Sequence, residues 1–194
     1  MRCLHLVAPL SCLALLACAT SQPAMPAGPP PDWKLASASM STGNDFQGVG
    51  GNGGQISNSI VGRSINGPVA SMDVTGGHIR GTGNSGRSVD VTIKGNKAEG
   101  LVGQIPFSAI IDINPDGSAH IVGAMGIGNS DWILSPKVIN GRIGAATYNL
   151  QWSGTKYEGQ MVPSGYAFVQ LPAVMATWSD YEVCTVLSLL LMGA

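Results

Sequence analysis

The distribution of glycine constrains this chain more than any other feature. There are 27 glycines in 194 residues, and beyond residue 46 a glycine or an Asn-Gly pair recurs after every short run of β-branched residues. A globular helix needs about 10 to 12 residues without such interruption, whereas a strand needs only about 4 to 8. The spacing therefore predicts strands joined by tight turns, with no room for the helices of a parallel sheet. The expected fold is mainly β, an antiparallel meander forming a sandwich or a barrel-like sheet.

Two hairpins can be read in register. Arg87 to Lys94 alternates, with Val89, Val91 and Ile93 on one face and Ser88, Asp90, Thr92 and Lys94 on the other. Gly95-Asn96 makes a two-residue turn, which sets Ile93 beside Ala98, Thr92 beside Glu99 and Val89 beside Val102. The second hairpin runs from Phe107 to Gly123 around Asn114-Pro115-Asp116-Gly117. Proline suits the first corner of a type I turn and Gly117 the left-handed position after it. This register places Ile111 opposite Ile121, Ile113 opposite Ala119 and Asp112 opposite His120, apolar against apolar and polar against polar.

Further strands are expected near Ile56 to Val61, near Val69 to Val74, and from Arg142 to Trp152 with Tyr148, Leu150 and Trp152 on one face. A turn at Ser153-Gly154-Thr155-Lys156 then returns Tyr157, Gly159 and Met161. Ile65-Asn66-Gly67 resembles Ile139-Asn140-Gly141, and Gly81 to Ser85 resembles Gly126 to Ser130, but the two spacings disagree and assign no repeat.

The C-terminus changes character. Ser179-Asp180-Tyr181-Glu182 has the form of a capping box, and Val183 to Met192 is apolar apart from Thr185 and Ser188. A helix over about 180–192 is predicted, with an earlier turn beginning near Leu171-Pro172-Ala173. It is too short to span a bilayer, which takes about 20 residues. A helix apolar on all sides must be buried, so it is expected to pack on the sheet or inside its curve.

The N-terminus reads differently. Arg2 precedes an apolar stretch from Leu4 to Ala17 that ends Leu15-Leu16-Ala17-Cys18, the layout of a signal peptide. The last four residues resemble the lipobox of bacterial lipoproteins. That resemblance covers residues 1–18 only. It implies cleavage before Cys18 and a diacylglycerol thioether on the Cys18 thiol, so that covalent lipid is the only non-protein group expected. Ala19 in place of an acidic residue implies the outer membrane. Residues 18–45 carry Pro23, Pro26, Pro29, Pro30 and Pro31 among Ala, Ser, Thr and Gly and read as a lipidated, extended tether. Residues 46–194 form a single domain. Cys3 and Cys12 lie in the signal peptide and Cys18 carries lipid, which leaves Cys184 without a disulfide partner.

Recognisable chemistry is sparse. The net charge is −1 and only 11% of residues are charged, with no basic run, so nucleic acid is not an expected partner. Gly48 to Gly53 and Gly81 to Gly86 both fit G-x-G-x-x-G, but neither precedes a helical pattern, so both read as loops. His78 and His120 are the only histidines after the signal peptide, and no metal site is expected. Asp112 and His120 form the one acid–base pair worth considering, read first as a solvated cross-strand pair. Cys184 reads as a core residue.

Tyr148, Trp152 and Tyr157 offer either a sugar-stacking surface or a core face, and the core face is preferred. The function expected is that of a lipid-anchored protein of the bacterial envelope, a non-enzymatic structural or binding module. Its expected partners are the membrane, envelope polysaccharide or another envelope protein. The alternative is a carbohydrate- or peptidoglycan-binding domain using exposed aromatics, and the third reading is a hydrolase built on Asp112 and His120.

Overall fold

The structure, a computed structural model, describes residues 40–41, 45–83, 86–125 and 128–192. The strands are β1 (Met40–Ser41), β2 (Asp45–Val49), β3 (Gln55–Val61), β4 (Ser64–Asn66), β5 (Ser71–Thr75), β6 (His78–Thr82), β7 (Ser88–Lys94) and β8 (Lys97–Val102). They continue as β9 (Ile105–Ile113), β10 (Ala119–Met125), β11 (Gly128–Leu134), β12 (Val138–Ile143), β13 (Ala146–Trp152), β14 (Tyr157–Val162) and β15 (Gly165–Pro172). A 3-10 turn, Ala173–Thr177, leads into α1 (Asp180–Leu191).

From β2 to β15 each strand pairs antiparallel with the next, and β15 returns to β2 through Val169 opposite Gly48 and Gln170 opposite Gln47. The sheet is thus a closed barrel of 14 strands. Closure removes the free edges that an open meander would expose. Both hairpin registers expected from sequence are present. The strand expected from Arg142 to Trp152 is instead broken: Arg142 and Ile143 end β12, and β13 begins at Ala146. Gly144 takes φ +59 there, a left-handed turn that side-chain alternation does not reveal. Sheet pairing also includes residues before 46, since β1 pairs in parallel with Leu171 and Pro172.

A three-residue motif runs around the wall. Phe46-Gln47-Gly48, Ile65-Asn66-Gly67, Ile79-Arg80-Gly81, Ala98-Glu99-Gly100, Ile121-Val122-Gly123, Ile139-Asn140-Gly141 and Tyr157-Glu158-Gly159 lie on or just after β2, β4, β6, β8, β10, β12 and β14. The first residue of each is fully buried, and in every copy except Gly48 the glycine marks a close approach to the backbone of the preceding strand. A Cβ on Gly100 would sit 2.0 Å from the Asp90 carbonyl oxygen, and one on Gly123 would sit 1.9 Å from that of Ser108. Only glycine permits this pinch, which lets the sheet coil tightly. Register advances by two residues from one motif to the next: Gly81 faces Val89 where Gly100 faces Val91, and Gly123 faces Ser130 where Gly141 faces Trp132. That constant stagger is what tilts the strands and sets the barrel's width.

Side chains alone fill a barrel of about 8 strands, and wider barrels enclose space. Here α1 occupies it. Every residue from Glu182 to Leu191 is buried, and the helix lies against β9 and β10. This is the physical reason for an apolar surface all round. Its two mid-helix hydroxyls bond backward, Thr185 to the Tyr181 carbonyl at 2.7 Å and Ser188 to that of Cys184 at 2.8 Å, so neither is left unsatisfied in the lumen. The first turn closes with the expected capping box of Ser179 and Glu182. At the other end the Leu191 carbonyl accepts from the Gly51 N–H at 2.9 Å and the Tyr148 hydroxyl at 3.0 Å. Cys184 is buried, and its thiol is pushed up by desolvation.

Candidate functional site

With the lumen filled, the surfaces open to ligands are the two mouths and the outer wall. At the mouth where α1 enters, Arg63 in the β3–β4 turn donates Nη2 to Glu182 Oε1 and Nε to the Val74 carbonyl at 2.9 Å. Its guanidinium also lies 5.9 Å from the centre of the Trp178 ring, and Trp178 Nε1 donates to the Gly62 carbonyl at 3.0 Å. Burial pushes the Glu182 carboxyl up, but Arg63 and the N–H and hydroxyl of Ser179 outweigh it and leave Glu182 below its ordinary value. This cluster latches the helix to the wall.

Along the strands the outward side chains are mostly Ser, Thr, Asn, Gln or charged, the reverse of a barrel embedded in lipid, whose outer band is apolar. Two parts of the wall contrast. On β5 to β9 it is charged. His78 Nε2 lies 2.7 Å from Asp90 Oδ1, with Arg80 Nε 3.7 Å from the same oxygen, and Lys97 pairs with Glu99 at 2.6 Å. Asp90 is held below its ordinary value chiefly by the hydrogen bond from His78. Two shallow hollows open here, one of about 340 Å³ beside Asp73, Thr75, His78 and Arg80, and one of about 310 Å³ beside Thr92, Lys94, Lys97 and Glu99.

On β12 to β15 the wall is nearly neutral. Asn140, Asn149 and Gln160 face one another in a single cross-strand row that ends at Tyr166, and all four are exposed. Gln151 is exposed one row away, opposite Glu158, which in turn faces Phe168. Tyr166 donates its hydroxyl to Glu158 Oε2 at 2.6 Å, and Lys156 reaches the same carboxylate at 3.0 Å and the Tyr166 oxygen at 3.3 Å. Lys156 Nζ also lies 5.1 Å from the Phe168 ring centre and 6.0 Å from that of Tyr166. These bonds, Tyr166 first and then Lys156 and Ser153, hold Glu158 down at about 2. Arg142 turns its Nε onto the Gly144 carbonyl at 3.0 Å.

The residues singled out from sequence are placed as follows. Asp112 and His120 are cross-strand neighbours as expected, but they do not bond to each other. His120 Nε2 lies 2.8 Å from Asp131 Oδ1 on β11, while Asp112 accepts from Asn96 Nδ2 at 3.0 Å. The imidazole reaches across to the next strand, a neighbour that hairpin register alone does not specify. Tyr148 and Tyr157 are fully buried, because they occupy inward positions of β13 and β14. Tyr157 donates to the Ser135 carbonyl at 2.8 Å. Trp152 is half-buried, its ring 5.1 Å from that of Tyr157. These three therefore form no exposed groove.

Among the described residues the exposed aromatic is Tyr166, 57% accessible, with Phe168 two residues on. Sequence reasoning passed over both, although Tyr166, Phe168 and Gln170 alternate with Ala167, Val169 and Leu171 in a clear two-residue period. The two G-x-G-x-x-G segments lie at strand ends before β3 and β7 rather than before helices. No group of three or more His, Cys, Asp or Glu side chains among the described residues is placed to hold a metal ion. Cys18 lies outside the described residues.

Comparison with known proteins adds no relative: no family model, no curated protein and no solved structure matches this chain. The fold and site define it as a closed β-barrel filled by its own C-terminal helix, with a polar outer wall.

Proposed function

We propose that this chain is a lipid-anchored protein of the bacterial cell envelope, held at the outer membrane through Cys18, whose barrel is a non-enzymatic binding or structural module. The observation that carries this reading is the solid barrel with a polar wall: its lumen is taken up by α1, so recognition falls to the outer surface. The lipobox-like Leu15-Leu16-Ala17-Cys18 supports the anchor. Two or more acyl chains, at about 0.8 kcal/mol per buried CH₂, hold a protein at a bilayer stably.

Chain geometry fits presentation from a tether. β1 runs beside Leu171 and Pro172, immediately before the 3-10 turn that leads to α1. Met40 and Ser41 therefore lie at the mouth where the helix enters, and the rim carrying Gly51 and Gly144 lies at the opposite end. Labelled fatty acid should enter the wild-type chain, and Cys18→Ser should abolish labelling and release the protein from membranes. A mutant that stays membrane-bound, beside a wild type that takes up no label, contradicts the anchor. A second reading, carbohydrate binding, is favoured by Tyr166 and Phe168 on the neutral wall, in place of the three aromatics first considered.

A further inference from the structure

We propose that the outward face of β12 to β15 is a binding surface for an uncharged polysaccharide chain, with Tyr166 as the stacking ring, half-buried Phe168 beside it, and Asn140, Asn149 and Gln160 as the hydrogen-bonding row. The proposal rests on reading the domain as a binding module, and it assigns both the ligand class and the site.

Three observations select this ligand. The first is the pairing of chemistries. Asn140, Asn149 and Gln160 stand in register across three adjacent strands and lead directly to Tyr166. Each amide carries both donors and an acceptor. None of these three side chains makes a hydrogen bond among the described residues, so all are free to pair with hydroxyl groups, which also both donate and accept. Neighbouring strands lie about 4.8 Å apart, so the row from Asn140 to Tyr166 extends about 14 Å across the wall, an elongated track suited to a chain.

The second is preorganisation. Tyr166 is 57% exposed, yet its hydroxyl is fixed by Glu158 at 2.6 Å and by Lys156 at 3.3 Å. A ring already held in place loses little freedom on binding. The apolar C–H face of a pyranose ring suits an aromatic face, while its equatorial hydroxyls reach the flanking amides. The third is charge. Lys156 and Glu158 neutralise each other, which leaves Arg142 as a single isolated cation on these strands among the described residues. An acidic polymer finds no free cationic cluster here, in contrast to a nucleic-acid surface. A protein interface of ordinary composition would have a more apolar centre than a row of amides.

The test uses the full chain carrying Cys18→Ser, so that binding in solution is independent of the anchor and a failed anchor leaves its outcome untouched. Neutral hexasaccharides of glucose, mannose, galactose and N-acetylglucosamine are titrated by calorimetry, with heparin as the charged control. At least one neutral oligosaccharide should bind. Tyr166→Ala should weaken that binding tenfold or more, and Asn149→Ala and Gln160→Ala several-fold each. His78→Ala on the charged wall should leave it unchanged. Thermal unfolding of each variant confirms that the fold is intact, and Tyr166→Phe, which keeps the ring but loses the hydroxyl that fixes it, should bind between the wild type and Tyr166→Ala. The proposal is overturned if no neutral hexasaccharide binds at millimolar concentration, if heparin alone binds, or if binding is indifferent to Tyr166→Ala and Gln160→Ala.

Discussion

Along each strand of this barrel the inward residues are almost wholly sealed, whereas the outward residues vary from charged to amide to aliphatic. The motif repeated around the wall shows the contrast within three positions. Its first residue is buried without exception and its glycine is fixed by a backbone contact, while the middle residue is Gln, Asn, Arg, Glu or Val. The inner side sets how tightly the sheet coils and what fills it. The outer side is free to differ from one strand to the next, so one wall can be charged and another neutral without altering the fold.

The largest expected effect comes from emptying the lumen. Deleting residues 180–194 removes Leu187, Leu189, Leu190 and Leu191, all buried. Each buried leucine contributes about 1.5 to 3 kcal/mol, against a total domain stability of about 5 to 15 kcal/mol. The truncated chain should show no cooperative urea transition. A native-like transition would mean that the wall stands without its filling, and the contrast between the two sides would collapse.

A sharper comparison uses adjacent residues. Gly123→Val drives a side chain into the Ser108 carbonyl and should destabilise the domain by at least about 1 to 3 kcal/mol. Val122→Ser, one residue away on the outer wall, should change stability by no more than about 0.5 kcal/mol. Urea midpoints of the two variants decide the matter, and equal shifts would break the rule.

The latch at the mouth lies between these extremes. Removing one partner of a fully buried ion pair costs about 3 to 5 kcal/mol, but the Arg63 side chain is 40% exposed, so Arg63→Ala should cost about 2 kcal/mol at pH 7. Glu182 sits below its ordinary value in the folded chain. Its contribution is therefore complete above the ordinary range and is lost as pH falls through the lowered value. The Arg63→Ala penalty should accordingly shrink between pH 7 and pH 3, below the ordinary glutamate value of about 4.3. A penalty independent of pH would dissociate the latch from the carboxylate.

The smallest effect belongs to His120. A double-mutant cycle should give a coupling of about 0.2 to 1 kcal/mol with Asp131 and close to zero with Asp112. Coupling to Asp112 instead would restore the pair expected from sequence.

What could be read from sequence follows the range of the interactions involved. Both hairpin registers were legible because Gly95-Asn96 and Asn114 to Gly117 fix pairing within a few residues. The helix was legible because Ser179 and Glu182 announce its start and the following run has no polar face. Closure was not legible, since β2 meets β15 across more than a hundred residues through only two residue pairs, Gly48 with Val169 and Gln47 with Gln170. The repeated motif showed through only at Ile65-Asn66-Gly67 and Ile139-Asn140-Gly141, because its middle position faces solvent and its spacing follows loops of unequal length. Tyr166 was missed for a related reason. Alternation identifies two faces, but only the barrel shows that Ala167, Val169 and Leu171 point inward and the aromatics outward.

The central claim is that α1 lies inside a closed wall, and Cys184 reports on it directly. In a chain whose other three cysteines are replaced by serine, Cys184 is the sole thiol, and it is buried in the first half of the helix. Its reaction with a small aromatic disulfide reagent should proceed only through unfolding, slow in native buffer and accelerating with urea in step with the unfolding transition. Immediate reaction in native buffer, at the rate of a thiol in a short exposed peptide, would place the helix outside the barrel and contradict the account.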